Sequence, residues 1–119
     1  MCKQPGCRKN VIVVEIGDKK AVMCEYNYKV AHQKRPYLIE QYYVNQISEC
    51  LNSPDFVYRN LQLKSRYCFY KENYKLGDKA VYVKVVLALG RECTIISSYH
   101  TDNIKEAKFN KPICNPLIK

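Results

Sequence analysis

The sequence is short of several residue types, and each shortage argues against a class of protein. It has no tryptophan, two histidines and four glycines in 119 residues. The few glycines form no Gly-rich loop of the kind that cradles nucleotide phosphates. No apolar run approaches the roughly 20 residues that a membrane helix requires, and no apolar stretch follows Met1 as it would in a secretory signal peptide. No two carboxylates have a spacing that indicates metal-assisted hydrolysis.

Acidic residues are also scarce relative to basic ones. Lysine and arginine number 20 against 11 aspartates and glutamates, which gives a net charge of +9 at neutral pH. This excess favours a polyanionic partner, because neutralising phosphates releases counterions and gives affinity for any sequence. The positive charges contain no run of five or more, so they predict a basic patch on a folded surface. Solubility alone is the simpler explanation of the same charge.

The seven cysteines bear on compartment and on metal binding. Cys24, Cys68 and Cys93 lie in apolar runs, where a reduced cysteine behaves as a small buried hydrophobe. The odd total number of cysteines and the lack of an export signal indicate a reducing, cytoplasmic location. Cys2 and Cys7 leave a zinc site open, but a tetrahedral site needs two further ligands and the sequence has no second close Cys/His pair. Cys24 and Cys114 could complete the site only if the fold happens to bring them to it.

The length predicts a single domain over 1–119, with 1–10 as a loose N-terminal segment. Apolar residues at spacings of three and four predict one helix over 37–51, with Pro36 in its first turn and Pro54 after its end. Residues 73–79 are predicted as a turn region and 103–108 as a helical turn. Strands are predicted over 11–16, 21–29, 56–58, 67–71, 80–89 and 93–100. The fold class is therefore α+β: a mostly antiparallel twisted sheet of about four to six strands, with one long helix, possibly two, on one face.

The alternation within the strand over 80–89 assigns its two faces. The odd positions from Val81 to Leu87 are all aliphatic, which places them on the core, under the helix. Tyr82 and Lys84 then point to the other face. A Gly90 turn leads into the last strand, so the strand over 80–89 is expected to be central, between the strands of Tyr67 and Ile95.

Four short motifs follow one another between residues 30 and 106. They are His32-Gln33-Lys34-Arg35-Pro36-Tyr37-Leu38, Asn52-Ser53-Pro54-Asp55-Phe56-Val57-Tyr58, Phe69-Tyr70-Lys71, and Ile95-Ile96-Ser97-Ser98-Tyr99 with Thr101-Asp102-Asn103-Ile104-Lys105 after it. Their order resembles the phage and prokaryotic nuclease-like families of the barnase–EndoU–colicin–RelE group, with 30–106 as the nuclease-like core. Ser97-Ser98 stands where those families carry Thr-Ala, and His32 lies close to Arg35-Pro36. Residues 1–20 have no counterpart in the resemblance.

The resemblance implies metal-independent RNA cleavage without a cofactor, or descent from it. In that reaction a 2′-hydroxyl attacks the adjacent phosphate, a base removes its proton, an acid protonates the leaving oxygen, and cations hold the developing charge. Imidazole titrates near neutral pH, so His32 is the acid–base candidate. The catalytic candidates are His32, Lys71, Ser97 and Tyr99. Candidates for RNA binding through charge or base stacking are Lys34, Arg35, Tyr70, Tyr82, Lys84 and His100.

Each of these residues also has a simpler role open to it. His32 can cap or bond backbone at a strand-to-helix junction, and Ser97 can be an ordinary sheet residue. Lys71 and Lys84 can be surface lysines that keep an open sheet soluble. The alternative function is therefore a non-catalytic RNA- or protein-binding module on a decayed nuclease fold. An active toxin-like nuclease implies an acidic antitoxin or immunity-type partner, to match the basic charge.

Overall fold

The computed structural model describes residues 10–34, 40–63, 65–90 and 93–117, with the backbone alone at 31–34 and 40–42. Among these residues no helix has the length and apolar character needed to cross a membrane. The elements in chain order are β1 (Asn10–Ile16), β2 (Lys19–Cys24), α1 (Glu25–Lys34), α2 (Glu40–Asn52), β3 (Phe56–Arg59), β4 (Arg66–Leu76), β5 (Lys79–Ala88), β6 (Cys93–Thr101) and a 3-10 turn (Lys105–Lys108).

The strands form one sheet in the order β1-β2-β6-β5-β4-β3. Strands β3 to β6 are an antiparallel meander, and β1 and β2 are an antiparallel hairpin. The hairpin joins the meander through a parallel pairing of β2 with β6, in which Ala21 lies opposite Cys93. The α+β class is confirmed, but the sheet is mixed and carries two helices. The expectation of a mostly antiparallel sheet with one long helix is therefore met only in part.

Helix α1 replaces the second half of a predicted strand. The prediction of a strand over 21–29 is correct only as far as Cys24, and the helix begins at Glu25. A carboxylate in the first turn favours a helix N-terminus, and Glu25 also lies 3.7 Å from Lys29 one turn later. The Asn27 amide donates to the backbone oxygen of Ile95 at 3.4 Å. The Asn27 contact depends on β6, which is distant in sequence, whereas the Glu25–Lys29 pair is a local helix signal that the predicted strand did not take into account.

The β4–β5 hairpin is longer than predicted. Residues 73–79 were expected to be a turn region, but β4 continues to Leu76 and pairs with β5 down to Lys79. The turn contains only Gly77 and Asp78, and Gly77 has a φ of 63°, which glycine adopts without a Cβ penalty. An irregularity between Glu72 and Tyr74 accommodates the extension. The side chains of residues 72–76 are all exposed, so this part of β4 lacks the alternation of buried and exposed residues that predicts a strand.

The main core lies between the helices and one face of the sheet, here called the helix face. Val83, Val85 and Leu87 pack there as predicted, under the buried apolar residues of α2, which are Tyr43, Ile47, Cys50 and Leu51. The buried Val81 is not part of that cluster. The opposite side of the sheet is called the open face. It carries a second, smaller cluster formed by Tyr58, Cys68, Tyr70 and Val86. The prediction that β5 is central, between β4 and β6, is confirmed.

Candidate functional site

The open face brings together polar residues from three neighbouring strands. Lys84 in β5 lies opposite Tyr70 of β4 on one side and Tyr99 of β6 on the other. Val86, one step along the same face, lies opposite Ser97. Because residues that pair across a sheet share a face, the register alone aligns these side chains. The 3-10 turn after β6 then adds Glu106.

Lys84 and Glu106 form a buried ion pair at the centre of this group. The Lys84 Nζ lies 3.3 Å from Glu106 Oε2, and the two side chains are only 4% and 2% exposed. The Tyr70 hydroxyl donates to the other carboxylate oxygen, Oε1. Lys84 Nζ also lies 5.3 Å and 5.6 Å from the ring centroids of Tyr70 and Tyr99. Each buried charge therefore has an opposite charge and aromatic or hydroxyl neighbours, which is the condition for keeping it ionised out of water.

The environment shifts the pKa values of three groups in this cluster. Burial alone lowers the pKa of the Lys84 ammonium, but Cys68, Tyr99 and Glu106 outweigh it and raise that pKa above its ordinary value. Burial, and then the hydrogen bond and charge of Glu106, raise the pKa of Tyr70. Burial likewise raises the pKa of the Cys68 thiol. At neutral pH the cluster therefore holds a fixed ammonium beside a neutral phenol and a neutral thiol.

A cavity of about 230 Å³ opens onto this cluster and is here called the open-face cavity. Ser97 and Tyr99 are half-buried in its wall, next to the buried Lys84. Arg66 and Lys105 add two positive charges, and among the described lining residues Glu106 is the acidic one. Its full lining is Asn60, Leu61, Gln62, Arg66, Lys84, Val86, Ile96, Ser97, Tyr99, Lys105 and Glu106. Because Lys84 and Glu106 contribute one charge of each sign, the net positive charge of the cavity equals the two charges of Arg66 and Lys105.

Three of the residues singled out in the sequence meet at this cavity: Lys84, Ser97 and Tyr99. Two expectations about exposure are wrong. Lys84 is a buried lysine and not a surface one, and Tyr70 is fully buried, so it has no free ring face for an RNA base. Tyr82 is half-buried on the same face, with its ring 6.2 Å from those of Phe56 and Tyr70.

Lys71 and His100 lie away from the open-face cavity, because both alternate onto the helix face. Both lie opposite Val83 of β5: Lys71 from the neighbouring strand β4, and His100 from the neighbouring strand β6. His100 Nε2 lies 3.0 Å from Gln46 Oε1, and its ring meets that of Tyr74 edge-on at 6.1 Å. Lys71 Nζ donates to the backbone oxygen of Ser53 at 2.9 Å, just after α2 ends. A cation there satisfies a helix-terminal carbonyl and complements the helix dipole.

This contact predicts a structural role for Lys71. The Lys71→Gln variant is expected to lose about 1 kcal/mol of unfolding free energy, the usual scale for one such hydrogen bond, and to keep the RNA-cleaving activity proposed below. Urea unfolding and a cleavage assay test this, with Lys75→Gln, an exposed lysine of the same strand, as the matched control. A tenfold or greater loss of cleavage by Lys71→Gln at unchanged stability would return Lys71 to the catalytic group.

The remaining candidates come from the segment between the strands. His32 and Lys34 belong to α1, for which only the backbone is described at these positions, and Arg35 lies outside the described residues. Helix α1 packs on β6 from the helix face, as the contact of Asn27 with Ile95 shows. Ser97 and Tyr99 face the other side of that strand. The described part of the chain therefore does not bring His32 together with Ser97 and Tyr99.

Three charged residues of the cavity were missed in the sequence: Arg66, Lys105 and Glu106. Glu106 is the only acidic residue after Asp102, in a segment with a predicted helical turn. A lone carboxylate among basic and apolar residues suggests a specific partner, so this isolation could have identified Glu106 as a candidate from the sequence. Its partner Lys84 is 22 positions away, and no local pattern connects the two.

The cysteines differ from expectation in one respect. Cys24 is disulfide-bonded, whereas it was expected to be a reduced thiol, and a disulfide sulfur cannot serve as a thiolate ligand for zinc. Cys50, Cys68, Cys93 and Cys114 are free. Cys2 and Cys7 lie outside the described residues. Within the described ranges no group of three or more His, Cys, Asp or Glu side chains is arranged to hold a metal ion.

Comparisons of the chain with protein-family models, with curated proteins and with solved structures gave no match. The function is therefore inferred from the geometry of the open face and from the resemblance of the short motifs.

Proposed function

We propose that this protein cleaves RNA by metal-independent transesterification, with the reacting phosphate held in the open-face cavity. The observation that carries the proposal is the buried, fixed ammonium of Lys84 in the wall of a cavity that also presents Ser97, Tyr99, Arg66 and Lys105. The resemblance of the motifs to nuclease-like families supports the same reaction. The net charge of +9 suits a polyanionic substrate.

Charge stabilisation in this proposal comes from Lys84. Its ammonium is held in place by Glu106, and Glu106 is held by Tyr70. A cation fixed before the substrate arrives needs no rearrangement when negative charge develops on the phosphorane, and this preorganisation is a large source of rate enhancement. The pKa of Lys84 is raised, so the cation persists at neutral pH.

Substrate positioning comes from the residues nearer the surface. Arg66 and Lys105 attract the phosphates, and a guanidinium can engage one of them through two parallel hydrogen bonds. The Ser97 hydroxyl and the Tyr99 hydroxyl donate to phosphate oxygens. The Tyr99 ring lies beside the fixed cation, with Lys84 Nζ 5.6 Å from its centroid. The resemblance of the motifs implies proton transfer by His32; since helix α1 packs on the helix face, the cavity itself supplies cations and hydrogen-bond donors, and the His32→Ala variant tests the acid–base role.

A non-catalytic RNA-binding module is the second candidate, and one observation favours it. Helix α1 packs on the helix face, whereas the cavity lies on the open face, and both oxygens of Glu106 are already engaged by Lys84 and Tyr70. The cations and hydrogen-bond donors required for binding are present in the described residues. The acid–base pair required for cleavage depends on His32.

Cleavage of a labelled single-stranded RNA in excess chelator tests the proposal. The expected products end in a 2′,3′-cyclic phosphate, and the same strand with 2′-deoxyribose at every position is expected to stay intact because it lacks the nucleophile. Tyr99→Phe and Ser97→Ala, purified in the same way, are expected to cleave more slowly, since each removes one donor to the developing charge. Binding without cleavage at any pH would favour the second candidate, and equal rates in all preparations would indicate a contaminating nuclease.

A further inference from the structure

A second cavity, of about 530 Å³, adjoins the open-face cavity. Its lining is Arg59, Asn60, Leu61, Phe109 and Asn110. Asn60 and Leu61 line both cavities, so the two are neighbours that share these residues. A nucleotide next to the bound phosphate is therefore the candidate occupant of the second cavity.

The second cavity combines an exposed aromatic ring with polar groups. Phe109 is 73% exposed and Leu61 is 43% exposed, so both present apolar surface that the fold does not bury. The Arg59 guanidinium lies 5.2 Å from the centroid of the Tyr67 ring, which holds a positive charge at the rim. An apolar surface beside amides and a cation suits a nucleobase, whose faces are apolar and whose edges hydrogen-bond.

The two asparagines of this cavity differ in how many of their side-chain hydrogen-bonding groups are already used. Asn60 Oδ1 accepts from the backbone nitrogens of Gln62 and Leu63 at 2.9 Å and 3.0 Å, and its amide nitrogen donates to Cys68 Sγ. Asn60 is thereby committed to shaping the loop that carries Leu61. Asn110 Nδ2 makes only a 3.5 Å bond to the Arg59 backbone oxygen, and within the described residues its Oδ1 accepts no hydrogen bond. Asn110 is therefore the residue with an acceptor available for a base edge.

Glu106 makes structural contacts at both cavities. Its side chain pairs with Lys84 in the open-face cavity, while its backbone oxygen accepts from the nitrogens of Phe109 and Asn110 at 3.0 Å and 2.9 Å. The residue that fixes the ammonium thus also fixes the turn that presents the exposed ring and the amide. This shared anchor sets the distance between a bound phosphate and a base stacked on Phe109.

We propose that the second cavity is a nucleobase subsite, in which Phe109 stacks on a base next to the bound phosphate and Asn110 hydrogen-bonds to its edge. This proposal depends on the RNA function proposed above. It assigns the sequence preference of the protein to a segment beyond the four motifs that carry the nuclease resemblance.

The test follows backbone amide signals by NMR during titration with adenosine 3′-monophosphate, uridine 3′-monophosphate and ribose 5-phosphate, which has no base. All three probes are expected to shift the signals of Ser97 and Tyr99, and only the two nucleotides those of Leu61, Phe109 and Asn110. Phe109→Ala is expected to weaken nucleotide binding about fivefold to a hundredfold, the scale of one lost base stack, and to leave ribose 5-phosphate binding unchanged. Its melting temperature is expected to match the wild type, because the ring is exposed.

The failure of the subsite and the failure of the RNA function give different results. If the nucleotides shift Ser97 and Tyr99 but not Phe109, or if Phe109→Ala binds them as tightly as the wild type, the base subsite is wrong and the phosphate site stands. If no probe shifts Ser97 or Tyr99, the proposed RNA function itself is contradicted.

Discussion

Replacing Lys84 by methionine is expected to lower the free energy of unfolding by about 3–5 kcal/mol, the cost of leaving one member of a buried ion pair without its partner. Methionine fills a similar volume, so the loss arises from the unpaired carboxylate of Glu106, whose side chain is almost completely buried. Urea unfolding at neutral pH measures the effect. The pKa of Lys84 is raised, so its stabilising charge is fully present below its ordinary pKa of 10.5 and is lost as the pH rises through its higher value in the folded protein.

The double variant Lys84→Met/Glu106→Gln is the control for this first prediction. It removes both charges and keeps an amide oxygen to accept from the Tyr70 hydroxyl. Most of the lost stability is expected to return, because an ion pair replaced as a unit is often neutral in cost. The stable double variant is expected to keep its affinity for RNA, since Arg66 and Lys105 remain, and to cleave far more slowly, since the fixed cation is gone. A single variant as stable as the wild type, or a double variant no more stable than the single, would contradict the buried pair.

The His32→Ala variant is expected to lose about a hundredfold or more in RNA cleavage while keeping its affinity for RNA, since general acid–base catalysis contributes on that scale. Single-turnover cleavage in chelator measures the rate, and anisotropy with an uncleavable 2′-deoxy strand measures the affinity. A pH dependence of the wild-type rate that the variant lacks is the signature of an ionising catalytic side chain.

The chain provides its own matched control for this second prediction, because it has two histidines. His100 lies on the helix face against Gln46 and Tyr74, so His100→Ala is expected to cleave RNA at close to the wild-type rate. A folded His32→Ala variant that cleaves as fast as the wild type would remove His32 from the mechanism. Loss of cleavage in His100→Ala at unchanged stability would move the catalytic centre to the helix face.

Patterns within single elements predicted much of the fold and part of the site. The alternation of β5 placed Val83 and Val85 under α2 and Lys84 on the opposite face. Side-chain direction in a strand follows a period of two, so it can be deduced from the sequence alone.

Features that depend on distant partners were not predicted. The switch from β2 to α1 depends on packing against β6, and the length of β4 depends on its partner β5. The burial of Lys84 depends on Glu106, which arrives from the 3-10 turn after β6. A lysine that alternates with apolar residues is usually exposed, and only a carboxylate brought from elsewhere in the chain keeps it buried as an ion.

The central claim, that RNA phosphates are held at the open-face cavity, is tested most directly by the salt dependence of RNA binding in charge-matched variants. Each phosphate contact with a single strand makes the slope of log affinity against log salt more negative by about 0.7. Arg66→Gln/Lys105→Gln removes two charges from the cavity, and Lys20→Gln/Lys75→Gln removes two exposed charges elsewhere. The account predicts a slope shallower by about 1.4 for the cavity variant and an unchanged slope for the other. Equal slopes for both variants, or wild-type binding that does not respond to salt, would contradict it.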